Sequence, residues 1–262
     1  MKLDTSSYYP KSPLDDEPEI DAAPSDGAET SSMPTEREES DTPVTVTQNA
    51  PETPPTETER FINALSTGIS WVLVPLLMPV YGALLAFGLS ILHYTPAGTR
   101  AAFTTIVLAI NLVCPAIVVW LLKKAGLVHD VGLNNREERF IPYMVCILCL
   151  VGTASFMHFK GAPEWLVMFY FGGAAAGLCE VIINRWWKIS VHCAGIAGLV
   201  ALVLRLQLSD FCMPSTSTWL LITIGCAGLL GSARIWLGRH TLGQVLAGYA
   251  VGFCGVFFML SC

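Results

Sequence analysis

Charge is scarce in this chain. Asp, Glu, Lys and Arg make up 14% of its 262 residues, where a soluble domain carries about 25%, so an ordinary water-soluble globule is excluded. The alternation of apolar and polar residues that marks barrel strands is missing, which argues against a membrane β-barrel. Metal-ligand spacing is missing too: the 9 Cys and 5 His form no cluster of the usual kind, and no metal or other cofactor is expected. No apolar stretch follows Met1-Lys2, so the opening residues do not read as a signal peptide. No internal repeat stands out.

The charge that is present is divided sharply. Residues 1–60 hold 15 acidic and 4 basic residues, a net of −11, and residues 61–262 hold 6 acidic and 11 basic, a net of +5. From Pro10 to Pro55 the chain is rich in Pro, Ser, Thr, Asp and Glu, with few large apolar side chains. Such a segment cannot bury enough apolar surface to offset chain entropy, so residues 1–60 are expected to be a disordered acidic tail. The tail reads either as a solvated leader or as a docking segment.

From Phe61 the composition changes. Spanning a bilayer takes about 20 mostly apolar residues, and seven runs qualify: 71–92, 102–122, 140–159, 164–183, 190–206, 217–235 and 241–261. The fifth is short. Residues 61–262 therefore form one domain, an all-α polytopic membrane bundle of six to seven spans, since helices satisfy their own backbone hydrogen bonds in lipid. Pro75, Pro79 and Pro115 interrupt two of these helices. Gly173-x-x-x-Gly177 and Gly248-x-x-x-Gly252 permit close helix packing. Cys146-x-x-Cys149 lies inside a span and reads as small apolar packing residues. His93, His129 and His158 lie near helix ends and read as bystanders.

Three polar clusters break the apolar pattern: Asn134 to Tyr143, Asn184 to His192, and Ser232 to Gln244. Two spans separate the first cluster from the second, and two separate the second from the third, so all three return to one membrane face. Arg136, Arg139, Arg234, Arg239 and Lys188 can converge there with His192 and His240. Arginine forks and helix N-termini match phosphate oxygens. The plainer reading is a basic interfacial collar. Trp186, Trp187 and Trp236 read as interfacial anchors. Glu180, near the end of the fourth run, reads as a partner for Arg185 or another site cation, or as a structural polar contact.

The second and third clusters resemble motifs of the type 2 phosphatidic acid phosphatase family, whose signatures are K-x6-R-P, P-S-G-H and S-R-x5-H-x3-D. Arg234-x5-His240-x3-Gln244 has the spacing of the third, with Ala233 for its Ser and Gln244 for its Asp. Ile189-Ser190-Val191-His192 is similar to the second, keeping Ser and His. Arg139, three residues before Pro142, stands nearest to the first. Gly132 occupies the position of its Lys, and Arg136 is the substitute cation. The resemblance covers roughly residues 120–262.

It implies a membrane-embedded lipid phosphatase, a phosphoric monoester hydrolase that needs no metal. His240 is then the nucleophile that forms a phosphohistidine, and His192 the general acid and base. Arg139, Arg136, Arg234 and Ser190 hold the phosphoryl oxygens. Gln244 accepts an N–H from His240 but lacks the charge of the family's Asp. The implied partners are the bilayer and a membrane lipid phosphate or pyrophosphate, with no nucleic acid. The expected location is a bacterial inner (cytoplasmic) membrane. Basic loops place the three clusters in the cytoplasm by the positive-inside rule, whereas many members of the family work on the outer face. Two alternatives stand beside the enzyme: a catalytically silent relative that binds or transports a phosphorylated lipid, and a membrane anchor whose tail recruits a partner.

Overall fold

The computed structural model describes residues 56–126, 140–209 and 213–261, and every regular element among them is helical. The expected disordered tail up to residue 55 and the first polar cluster up to Arg139 lie outside the described residues, and residues 57–60 of that tail are helical. The elements are α1 (Glu57–Val72), α2 (Met78–Leu89), α3 (Ala97–Leu108), α4 (Cys114–Lys124), α5 (Phe140–Phe159), α6 (Glu164–Ile183), α7 (Val191–Gln207), α8 (Thr216–Trp236) and α9 (Leu242–Met259).

Among the described residues, six helical segments are long and apolar enough to cross a membrane: Glu57–Leu89, Ala97–Lys124, α5, α6, α8 and α9. The bundle is a membrane protein by that measure, and its burial pattern agrees. Leu84, Ile117, Leu148, Leu221, Leu246 and Phe258 are exposed, while Ser66, Ser70, Asn111 and Thr153 are buried. Apolar side chains turned outward suit a lipid solvent, and Asn111 and Thr153, turned inward, bond each other.

The first span begins earlier than its apolar run. The helix starts at Glu57 because Thr56 and Glu59 form a reciprocal capping box, with Glu59 Oε2 2.8 Å from the Thr56 backbone nitrogen. Ordered helix thus reaches four residues before Phe61. Pro75 then breaks the span: a 3-10 turn at Pro75–Leu77 separates α1 from α2, and Pro79 sits in the first turn of α2. Pro115 acts differently. It has no N–H to offer Asn111, and the preceding turn, Ala109–Val113, widens to a π-helix in which the Cys114 N–H reaches the Ala109 carbonyl.

That π turn aims Asn111 at α5. Asn111 is buried, and its amide donates to the Val107 carbonyl at 3.0 Å and the Thr153 hydroxyl oxygen at 2.7 Å. Thr153→Val keeps the shape and removes the acceptor. Polar contacts inside membrane proteins average about 0.6 kcal/mol and reach about 1.7. A loss of roughly that size is expected in reversible unfolding of the variant in bicelles. No loss would mean the contact is idle.

The short fifth run is the centre of the bundle. α7 has 17 residues, ten of them buried, and it packs along α8 and α9 and against α2. At 1.5 Å per residue it is about 26 Å long, slightly under the hydrocarbon thickness. A helix enclosed by others needs no long lipid-facing surface. Contacts at its two ends show that it runs the full depth. At one end the Ser190 N–H meets the Gln244 carbonyl at 3.4 Å. At the other, Arg205 donates to the Leu260 carbonyl at 2.9 Å. α7 and α9 are therefore parallel, with both N-termini at the same end. The indole N–H of Trp236 donates to Asn63 at 2.9 Å, which puts the start of α1 at that end too. Met213 and Leu89 bond at the far end, at 3.3 Å.

Candidate functional site

The candidate site lies where α8 turns into α9 beside the N-terminus of α7. The turn is a Schellman motif. Gly238 adopts φ 62°, its N–H reaches the Ile235 carbonyl at 2.9 Å, and the Arg239 N–H reaches the Arg234 carbonyl at 3.1 Å. A residue with a Cβ is disfavoured at that φ. The His240 N–H also approaches the Arg234 carbonyl, at 3.4 Å. This explains the five-residue interval between Arg234 and His240. It is the length of chain needed to leave one helix, reverse, and set His240 directly before the N-cap of the next.

Thr241 caps α9. Its hydroxyl accepts the Gln244 N–H at 3.4 Å, and its own N–H donates to Gln244 Oε1 at 3.3 Å. The same Oε1 lies 3.1 Å from His240 Nδ1. A backbone N–H can only donate, so the Gln244 atom facing Thr241 is oxygen, and that oxygen requires a proton on His240 Nδ1. The imidazole is thereby held in the tautomer whose Nε2 carries the lone pair. His240 itself is buried, at 8% exposure, so this orientation is fixed in a site largely closed to water.

Ser190 approaches from the other side. It is fully buried at the N-cap of α7, but its side chain does not cap the helix. Its Oγ makes no hydrogen bond of ordinary geometry, and the weakly polar Cys193 thiol lies beside it. The first N–H groups of a helix have no acceptor within it. An N-cap hydroxyl that does not cap its own helix stands beside those first N–H groups without bonding them. A phosphoryl oxygen is the kind of group that suits them. His192, half-buried, is the second residue of α7, two positions on from Ser190. Arg234 sits in the last turn of α8, and its carbonyl accepts the Arg239 and His240 N–H groups at the turn into α9.

The structure thus joins Ser190, Gln244 and His240 by direct contacts, ties Arg234 to His240 through the backbone, and sets His192 on the turn that Ser190 opens. Arg136 and Arg139 lie outside the described residues. Glu180 is buried at 4% exposure near the end of α6, while Arg185 is exposed, and no ion pair joins them among the described residues. Asn184, also buried, adds a further polar side chain at this end. The ring of Trp187 lies 3.6 Å from the place of a Cβ on Gly243, so it covers the first turn of α9.

Two contributors were not marked in the sequence. Gly248 and Gly252 read there only as packing residues. In the structure a Cβ on Gly248 would stand 2.5 Å from the Ser190 carbonyl oxygen and 3.1 Å from the Cys193 Cβ, and one on Gly252 would run into the backbone of Ala194. These glycines set the distance between the two helices that carry the site. Tyr249 is the other: its hydroxyl donates to the Ala227 carbonyl and it borders Cys193.

No family model, curated protein or solved structure matches the chain.

Proposed function

We propose that the protein hydrolyses a membrane lipid phosphate or pyrophosphate through a phosphohistidine, without a metal. The observation that carries this reading is the seating of Ser190 on Gln244, beside a buried His240 whose Nδ1–H is held by Gln244 Oε1. Nε2 attacks phosphorus, and the P–O bond to the lipid breaks. The leaving alkoxide takes a proton from His192 in its charged form. Neutral His192 then removes a proton from water, the resulting hydroxide attacks the phosphohistidine, and the P–N bond breaks to release inorganic phosphate and restore His240. Ser190, Arg234 and the N–H groups opening α7 hold the phosphoryl oxygens, with Arg136 and Arg139 as further cations. The lipid class fits because the site sits at one end of a membrane-spanning bundle. A bacterial inner membrane is the location proposed with it.

Gln244 favours a second reading, a relative that binds or carries the phosphorylated lipid without turning it over, because an amide brings no negative charge to the histidine. Two effects of losing a carboxylate need separating. In a serine-protease triad, an amide in place of the carboxylate costs about 10⁴ in rate through the wrong tautomer. Here the Thr241 N–H pins the amide oxygen toward His240, so the tautomer is the useful one and only the charge is missing. An ionised acceptor is worth roughly 1 kcal/mol more than a neutral one. Gln244→Glu keeps the side-chain length that makes both contacts, and is expected to raise kcat about fivefold. An unchanged or lower kcat with the fold intact would remove the charge argument.

Phosphate release from a panel of lipid phosphates, by full-length protein in detergent with EDTA, tests the reading. Turnover that disappears in His240→Ala and falls steeply in His192→Ala is expected. Turnover that survives both changes overturns it.

A further inference from the structure

Below the polar site, α8 and α9 part. They touch at few points, whereas each packs along α7. The gap is a crevice of about 490 Å³ lined by Ala197 and Val200 of α7, Ile224, Ala227 and Gly228 of α8, and Tyr249, Ala250 and Phe253 of α9. Small residues on all three helices make it. A Cβ on Gly228, or on Gly225 one turn away, would meet nothing within 4 Å, so no other helix closes it.

Its position is tied to the site by the helical rise. Ala197 is five residues beyond His192, Tyr249 five beyond Gln244, and Gly228 six before Arg234. At 1.5 Å per residue, all three helices place the near end of the crevice about 8 Å deeper than the phosphate-directed residues. Tyr249 forms the boundary. Its hydroxyl is satisfied by the Ala227 carbonyl, so its ring presents an apolar wall to the crevice while its edge borders Cys193 and the site.

We propose that this crevice seats the hydrocarbon chain of the lipid whose phosphate reaches His240, so that the chain as well as the headgroup selects the substrate. The proposal rests on the phosphate reading of the site. A headgroup held at the bundle end must leave its chain running inward, and an apolar channel opens at that depth on the same three helices. The chain is already out of water in the bilayer, so what the crevice adds is packing: each methylene seated against its wall gains van der Waals contacts.

Gly228→Leu adds bulk on the crevice lining, at a position where a Cβ meets nothing within 4 Å. Gly152→Leu adds the same bulk at an open glycine of α5 and serves as control. With long-chain and water-soluble short-chain esters of one phosphate headgroup, the ratio of kcat/KM values should fall severalfold in Gly228→Leu, as the seated part of the chain loses its packing contacts. It should stay put in Gly152→Leu. A second measurement needs no turnover: a lipid phosphate with a photoreactive group in mid-chain, in nanodiscs of neutral lipid, should label residues 224–228 and 249–253. Unlabelled long-chain lipid phosphate should compete, and the neutral diacylglycerol should not. That labelling without any phosphate release would sustain the chain site and overturn the hydrolase reading. Turnover with an unchanged chain-length ratio, or labelling that neutral lipid displaces equally well, would show ordinary solvating lipid and overturn the chain site.

Discussion

His240→Ala is expected to abolish phosphate release, by a factor on the order of 10⁴ or more, while leaving the protein folded. Removing a nucleophile that acts as one unit with its partners costs nearly the whole chemical advantage. The imidazole's contact with Gln244 Oε1 is worth about 1 kcal/mol, and the cap of α9 survives its loss because Gln244 keeps its bond from Thr241. Thermal unfolding near wild type, together with lost turnover, separates chemistry from folding. His192→Ala should fall by roughly 10² to 10⁴, the range of a general acid–base group. Its effect depends on the leaving group. With a nitrophenyl ester, departure needs no proton, so only the hydrolysis of the phosphohistidine is slowed. Acid-labile phosphate should then accumulate on the protein in His192→Ala and never in His240→Ala. Equal accumulation in both would assign the nucleophile elsewhere.

The parts of the site that could be read in the sequence are those fixed by local chain length. Arg234 and His240 keep their interval because a Schellman turn occupies it, and local turns leave a local record. Spans could be read for the same reason, since bilayer thickness dictates run length. What escaped depends on packing. The start of α1 at Glu57 is written in the capping pair Thr56 and Glu59, but a charged first turn does not resemble a span. The depth of α7 escaped because a central helix and a short peripheral one have similar apolar content. Its ten buried residues become evident only when α2, α8 and α9 surround it. The tautomer of His240 escaped because it follows from one oxygen shared between Thr241 and His240, a coincidence in space that spacing alone does not show.

Gly248→Ala and Gly252→Ala should be the most damaging small substitutions in the bundle. Both glycines are buried on α9 and face the first turn of α7. What they face is backbone: the Ser190 carbonyl, 2.5 Å from a Cβ at position 248, and the Ala194 peptide at position 252. A long side chain can swing aside, but a carbonyl in the first turn of a helix cannot. The helices must separate, and overpacking of this kind costs about 1–3 kcal/mol, occasionally more. The two changes should nevertheless differ in activity. At position 248 the displaced group is Ser190 itself, whose N–H bonds Gln244 at 3.4 Å. A shift of about 1 Å between catalytic groups costs on the order of 10² in rate. At position 252, one turn further along, stability should fall with a smaller loss of rate per folded molecule. Gly152→Ala and Gly225→Ala, where a Cβ meets nothing within 4 Å, should unfold like wild type or slightly later, since alanine favours helix over glycine by about 1 kcal/mol. Unfolding temperature and phosphate release measured on the four variants decide the matter. If Gly248→Ala kept wild-type turnover, Ser190 would not need its seat on α9, and the contact between the two histidine-bearing segments would be packing alone.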